Sequence, residues 1–163
     1  MRIGVLADTH DQVHNTWAAL QLFRGSGVDR LVHCGDLTKP SMVKLFDGWK
    51  VAFILGNMDR NEAGLLRALE QTGGAQLHSD VYQATLSGVR VGACHGHDAE
   101  LLNTMIRSGE FDLVLHGHLH VRRDDKIGST RIINPGALGG TFREPRSVCV
   151  FDLATRVAEF LDI

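Results

Sequence analysis

Short apolar runs that stop on glycine and a polar residue recur along this chain. Arg2 to Ala7 closes on Asp8, Leu31 to Cys34 on Gly35-Asp36, and Val51 to Leu55 on Gly56-Asn57-Met58-Asp59. Bounded, short and apolar, each predicts a buried strand. Between them the period changes. Trp17, Leu20 and Phe23 fall at helical spacing within residues 14–24, with Gly25 or Gly27 as the stop. Pro40 to Phe46 predicts a short helix with proline in its first turn. Glu62 to Gln71 predicts another, ended by Gly73-Gly74.

The second half alternates differently. Tyr82 to Leu86 and Val89 to Cys94 flank Ser87-Gly88, a two-residue hairpin signal. Glu100 to Ile106 is helical, and Leu113 to Leu115 is a strand that ends in His116-Gly117-His118-Leu119-His120. Residues 121–133 read as a ribbon turning at Asp124-Asp125 and Gly128. Asn134 to Gly140 reads as a loop, and Ser147 to Leu153 with Val157 to Leu161 as a last hairpin. Strand–helix units first and antiparallel pairs later predict one mixed-sheet α/β domain over residues 1–163, with helices outside.

Composition narrows the class. The 163 residues are 44% hydrophobic and 22% charged, so the chain can bury a core and intrinsic disorder is excluded. A net charge of −2 argues against a strongly basic nucleic-acid binder and a polybasic membrane anchor. The longest apolar runs are far short of the ~20 residues that span a bilayer, and Asp8 interrupts any signal-peptide core. The expectation is a soluble cytoplasmic protein with Cys34, Cys94 and Cys149 as reduced thiols. Two excesses stand out, 18 glycines and 9 histidines, and both concentrate at the strand ends.

Five strands end in glycine-flanked Asp, Asn or His: Asp8-Thr9-His10, Gly35-Asp36, Gly56-Asn57, His95-Gly96-His97 and Gly117-His118-Leu119-His120. Open α/β sheets bind ligands outside the carboxyl ends of their strands, so these clusters can converge. Residues i and i+2 of extended chain point to one side, which pairs Asp8 with His10 and His118 with His120. Carboxylate, amide and imidazole donors without thiolate suit Mn, Fe, Zn, Co or Ni rather than a structural zinc cage. Asp8, His10, Asp36, Asn57, His95, His118 and His120 are too many for one open ion. They divide over two if a carboxylate bridges, the arrangement that serves phosphoryl transfer.

The same blocks, Asp8-x-His10, Gly35-Asp36, Gly56-Asn57-x-Asp59, His95-Gly96-His97 and Gly117-His118-x-His120, resemble the calcineurin-like metallophosphoesterase superfamily. Short length and the Asn134-Pro135-Gly136 loop make the chain similar to its small YfcE-type phosphodiesterases, whose fold a retromer subunit shares. The resemblance runs from residue 3 to 137. It implies a four-layer α-β-β-α sandwich with two mixed β-sheets and two divalent metal ions per chain, manganese first, with Ni, Fe, Zn, Co or Mg as others. Asp8, His10, Asp36 and His120 would hold one ion. Asp36 would bridge to a second, held also by Asn57, His95 and His118. A hydroxide shared by the ions would attack a small phosphodiester or phosphoester substrate, with Asp36, Asn57, Asp59 and His95 as the catalytic residues.

One position departs from the family pattern. Many members carry His after the Asn, where this chain has Met58. Methionine can neither protonate a leaving group nor stabilise its charge, and a missing general acid costs ~10²–10⁴-fold on poor leaving groups. Modest activity on phosphodiesters or aryl esters is therefore expected, with Asp59 left to orient a histidine or a water. The other reading is a metal-bearing scaffold for protein interaction, but relatives of that kind tend to lack a ligand histidine and all seven positions are filled here. His33, His116, Cys34 and Cys94 read as core, and His14 and His78 as surface. Arg60 reads as exposed, His97 as an outer-ring residue or a helix cap, and Asn134-Pro135-Gly136 as a rigid turn under the site. No membrane partner is expected, the sequence carries no strong nucleic-acid signal, and homo-oligomerisation is left open.

Overall fold

The computed structural model describes all of residues 1–163. Eleven strands form two sheets. β1 (Arg2–Leu6), β2 (Arg30–Cys34), β3 (Val51–Ile54) and β4 (Ala75–His78) run parallel in one; β10 (Ser147–Asp152) and β11 (Ala158–Asp162) complete it in the order β11-β10-β1-β2-β3-β4. The other holds β5 (Val81–Leu86), β6 (Val89–Cys94), β7 (Leu113–Leu115), β8 (Arg122–Ile127) and β9 (Thr130–Pro135), ordered β5-β6-β7-β9-β8. Parallel and antiparallel pairs occur in both, as expected of mixed sheets.

Side-chain alternation makes three apolar layers. Ile3, Val5, Ala7, Val32, Cys34, Val91, Ala93, Leu113 and Leu115 meet between the sheets. The opposite face of the first sheet, with Leu6, Leu31 and Phe53, is covered by α1 (Val13–Gly25), α2 (Glu62–Leu69) and a 3-10 helix at Pro40–Phe46. α3 (Ala99–Arg107) covers Cys94, Val114 and Ile132 on the second. The result is the four-layer α-β-β-α sandwich. No helix is long and apolar enough to cross a membrane.

Several expectations needed correction. β4 forms without an apolar signal in the sequence, because Ala-Gln-Leu-His is short, polar and only half-buried. The ribbon turns at Gly128, whereas Asp124 and Asp125 lie inside β8. Trp17 is exposed, because the buried stripe of α1 is Thr16, Ala19, Leu20 and Phe23. The hairpin at Ser87-Gly88 forms as predicted, both residues having positive φ. Register then sets the site: Leu6 pairs with His33, Cys34 with Ile54, and Ala93 with Leu115, so these strands end level with their neighbours.

Candidate metal centre

The loops after β1, β2, β3, β6 and β7 meet at this common edge. Asp8 N–H donates to the Gly35 carbonyl at 2.9 Å, His10 N–H to Asp36 O at 3.0 Å, and Gly117 N–H to His95 O at 2.9 Å. Backbone bonds therefore lace the loops within each sheet, and the His118 N–H bond to Asp8 Oδ2 ties one sheet's loops to the other's. The lacing requires unusual conformations. Of nine non-glycine residues with positive φ, seven lie here: Asp8, His10, Asp11, Asp36, Thr38, His118 and His120. Left-handed backbone costs such residues about 1–2 kcal/mol each, so surrounding contacts must impose it, and such strain clusters at functional sites.

Gly35 shows how tightly the pieces fit. Its φ is +91°, and a Cβ there would overlap the His95 ring. The ring needs that space because His95 Nδ1–H donates to the Cys34 carbonyl at 2.8 Å. A carbonyl can only accept, so the bond fixes the tautomer and leaves the Nε2 lone pair facing Asn57 Oδ1 at 3.0 Å. In a neutral ring neither atom has a proton to give. The pair is repulsive unless a cation lies between them. His120 is set in the same way: Nδ1–H donates to Thr141 O at 3.0 Å, and Nε2 faces His10 Nε2 at 3.4 Å.

The carboxylates complete the arrangement. Asp8 is fully buried; Oδ2 accepts from His118 N–H at 2.9 Å, while buried Oδ1 has no hydrogen-bond donor and lies 3.4 Å from His120 Nε2. Asp36 presents one oxygen to each side, Oδ2 at 3.5 Å from His10 Nε2 and Oδ1 at 3.6 Å from His95 Nε2. Ligands bonded to one ion at about 2.1 Å lie about 3–3.5 Å apart, so these spacings and the orphaned Asp8 oxygen fit a divalent cation. Asp8, His10 and His120 form one group able to hold an ion, and Asp8, Asp36 and His95 another. Asp8 thus belongs to both groups, where a place beside one ion was expected. His118 belongs to neither; its ring packs edge-on against His95 at 5.1 Å between centroids. Burial lowers the His118 pKa, whereas the adjacent Asp8 carboxylate raises that of His120.

Asp59 differs from expectation. It bonds no histidine: Oδ2 accepts Asp36 N–H at 2.9 Å and Gly56 N–H at 2.7 Å, and Oδ1 accepts Thr38 N–H at 2.6 Å. It is a buried post to which the β2 and β3 loops are tied, and burial raises its pKa. His97 is exposed, its ring 5.4 Å from His95, and Asp98 rather than His97 caps α3. His33 and His116 are buried as expected, and His78 is half-buried rather than on the surface. Cys34, Cys94 and Cys149 are buried free thiols, the last two with pKa pushed up to about 12 by burial. Asn134 supports the site from below, donating to the Gly117 carbonyl at 2.8 Å.

The sequence reading missed the segment after Leu138. Arg146 donates through Nη1 to Gly139 O and through Nη2 to Gly140 O at 2.9 Å, clamping the turn that carries the Thr141 carbonyl to His120. A Cβ on Gly140, whose φ is +64°, would overlap the rings of His10 and His120. The Gly139-Gly140 pair, recurring beyond the last predicted ligand, was the available signal.

The model of the calcineurin-like phosphoesterase superfamily domain matches residues 1–156. The chain belongs to that superfamily. It is 28% identical over 165 residues to the phosphodiesterase MJ0936 of Methanocaldococcus jannaschii, covering 100% of this chain and 98% of that one. Among solved structures it is similar to a novel archaeal phosphodiesterase, with TM-score 0.94 and 25% identity over the whole of both chains. It also shares the fold of Yfce, a phosphoesterase from E. coli, with TM-score 0.71 and 19% identity over the whole of both chains.

Proposed function

We propose that this protein is a phosphodiesterase that works with two divalent metal ions. Asp8, His10, Asp36 and His120 would hold one, and Asp36, Asn57, His95 and His118 the other. The observation that carries this reading is the disposition of Asp36, one oxygen toward His10 and the other toward His95. Two bound ions would acidify a water to a hydroxide nucleophile and offset charge gathering on the phosphoryl oxygens. The protein supplies orientation. Cys34 and Thr141 carbonyls fix two imidazoles with Nε2 inward, and Asp59 holds the backbone on which Asp36 stands. Met58 N–H donates to Asp36 Oδ1 at 2.9 Å, but its side chain carries no proton for a leaving group. Diesters with good leaving groups are thereby favoured over alkyl monoesters. The relatives' phosphodiesterase names support the same class.

The test is hydrolysis of bis(p-nitrophenyl) phosphate by metal-stripped protein with Mn²⁺, Ni²⁺, Zn²⁺ or Mg²⁺ added back. Metal-dependent turnover that disappears in Asp36→Asn and His95→Ala supports the reading. Two ions bound per chain with no turnover on any metal would instead favour a scaffold.

A further inference from the structure

Three large apolar side chains stand exposed beside the most polar part of the molecule. Met58 follows Asn57 and is 39% exposed; Leu119, between His118 and His120, is 51% exposed; Phe142, one residue past the carbonyl that orients His120, is 68% exposed. Single exposed apolar residues need no explanation. These three adjoin donor residues in the chain: Met58 follows Asn57, which faces His95, Leu119 lies between two of the histidines, and Phe142 follows Thr141, whose carbonyl holds His120.

Phe142 is presented rather than loose. Its ring lies 5.1 Å from the Arg146 guanidinium, and that same guanidinium is bonded to the Gly139 and Gly140 carbonyls. Gly140 in turn packs on His10 and His120. A chain of contacts therefore runs from the ring through Arg146 to the donors. One face of an aromatic ring is occupied by the guanidinium; the remaining exposed surface is free to stack.

The geometry points to Phe142 as a specificity-determining residue, with Leu119 and Met58 completing an apolar rim that receives the organic substituent of the substrate. It rests on the phosphodiesterase reading above and adds the substrate class: phosphodiesters bearing a planar aromatic group on the ester that is not cleaved. A monoester has no such group and gains nothing from the rim. The phosphoryl group would lie among the polar donors while the ring of the retained ester lies on Phe142. No bond to Phe142 forms or breaks; its contribution is contact alone.

The experiment compares substrates that share one leaving group: methyl p-nitrophenyl phosphate, bis(p-nitrophenyl) phosphate and thymidine 5′-(p-nitrophenyl phosphate), each with Mn²⁺-loaded protein. Phe142→Ala should lower kcat/KM about fivefold, mainly through KM, on the second or third substrate while leaving the methyl ester unchanged. Loss on the second identifies an aryl ester, and loss on the third a nucleobase. Phe142→Trp should restore the preference. Calorimetric binding of diphenyl against dimethyl phosphate gives the same comparison without turnover, and Mn²⁺ binding should be equal in all variants. An equal drop on all three substrates, or no drop on any, overturns the rim. Absence of metal-dependent turnover overturns the underlying reading instead, and the phosphate-diester binding ratio then decides the rim by itself.

Discussion

His95, at the end of a strand in one sheet, donates from Nδ1 to the carbonyl of Cys34, at the end of a strand in the other, over 2.8 Å. The bond joins the two sheets at the edge where the donors gather and aims Nε2 at Asn57 and Asp36. Replacing a residue that only supports a ligand costs 10–100-fold in metal affinity, so removing this imidazole should cost at least that. His95→Ala should bind one Mn²⁺ per chain in calorimetry where the parent binds two, with hydrolysis down by two orders or more. Two ions bound with parental affinity would remove His95 from the centre.

Asp59 gives a sharper separation of support from contact. Its carboxylate accepts three backbone N–H groups and touches none of the imidazoles. Asp59→Ala should orphan those donors and cost about 2–4 kcal/mol, allowing for water reaching the half-buried ones. The loops should loosen, so Mn²⁺ affinity falls although no donor was removed. Asp59→Asn keeps one accepting oxygen but turns an NH₂ toward a donor, and should recover only part of the loss. Chemical denaturation with metal titration of both variants checks this; an unchanged midpoint in Asp59→Ala would refute the post.

The contrast between Asp36 and Asp59 shows what the sequence could and could not convey. Glycine-flanked Asp, Asn and His at strand ends announce convergence, because any parallel sheet brings its strand ends to one edge. That local rule located Asp8, His10, Asp36, Asn57, His95 and His120 at one place. It could not say that Asp59 faces backbone, since the direction of a loop carboxylate depends on dihedrals of residues far away in the chain. Arg146 and Thr141 were invisible for the same reason: they act through a carbonyl and a clamp, which carry no residue signature. β4 escaped because an edge strand of Ala75–His78 needs no apolar alternation when its neighbour supplies the hydrogen bonds.

Crowding Asp8 and Asp36 with imidazoles makes the metal-free protein bear an unpaired acceptor, Asp8 Oδ1, in a buried place. Asp36 adds its own charge beside the Asp8 and Asp59 carboxylates, so Asp36→Asn relieves like-charge repulsion and should unfold at a higher temperature than the parent when both are metal-free. Adding Mn²⁺ should reverse the order. A ligand at 100 times its Kd stabilises by about 2.7 kcal/mol, and the variant should forfeit most of that gain. Thermal melts with chelator and with excess Mn²⁺ provide the four values; a metal-induced rise in Asp36→Asn as large as the parent's would count against its role.

His33, whose Nε2 lies 3.3 Å from the Thr9 hydroxyl between Asp8 and His10, offers a pH-dependence of its own. It is wholly buried on the outer face of the first sheet, its ring 5.9 Å from Phe46 and 5.4 Å from Phe53, and its Nδ1 has no partner. Burial depresses its pKa to about 3, whereas the unfolded chain titrates near the ordinary 6.5. Above 6.5 both states hold a neutral ring and pH has no effect through this group. As pH falls from 6.5 toward 3 the unfolded state takes up a proton that the folded state refuses, and stability drops by about 1.4 kcal/mol per unit. His33→Phe fits the aromatic surroundings and removes that proton uptake. Metal-free parent and variant should be of similar stability at pH 8, and the variant should lead by about 2 kcal/mol at pH 5. Urea melts across that range measure the difference, and parallel curves would show that His33 is not the group that titrates.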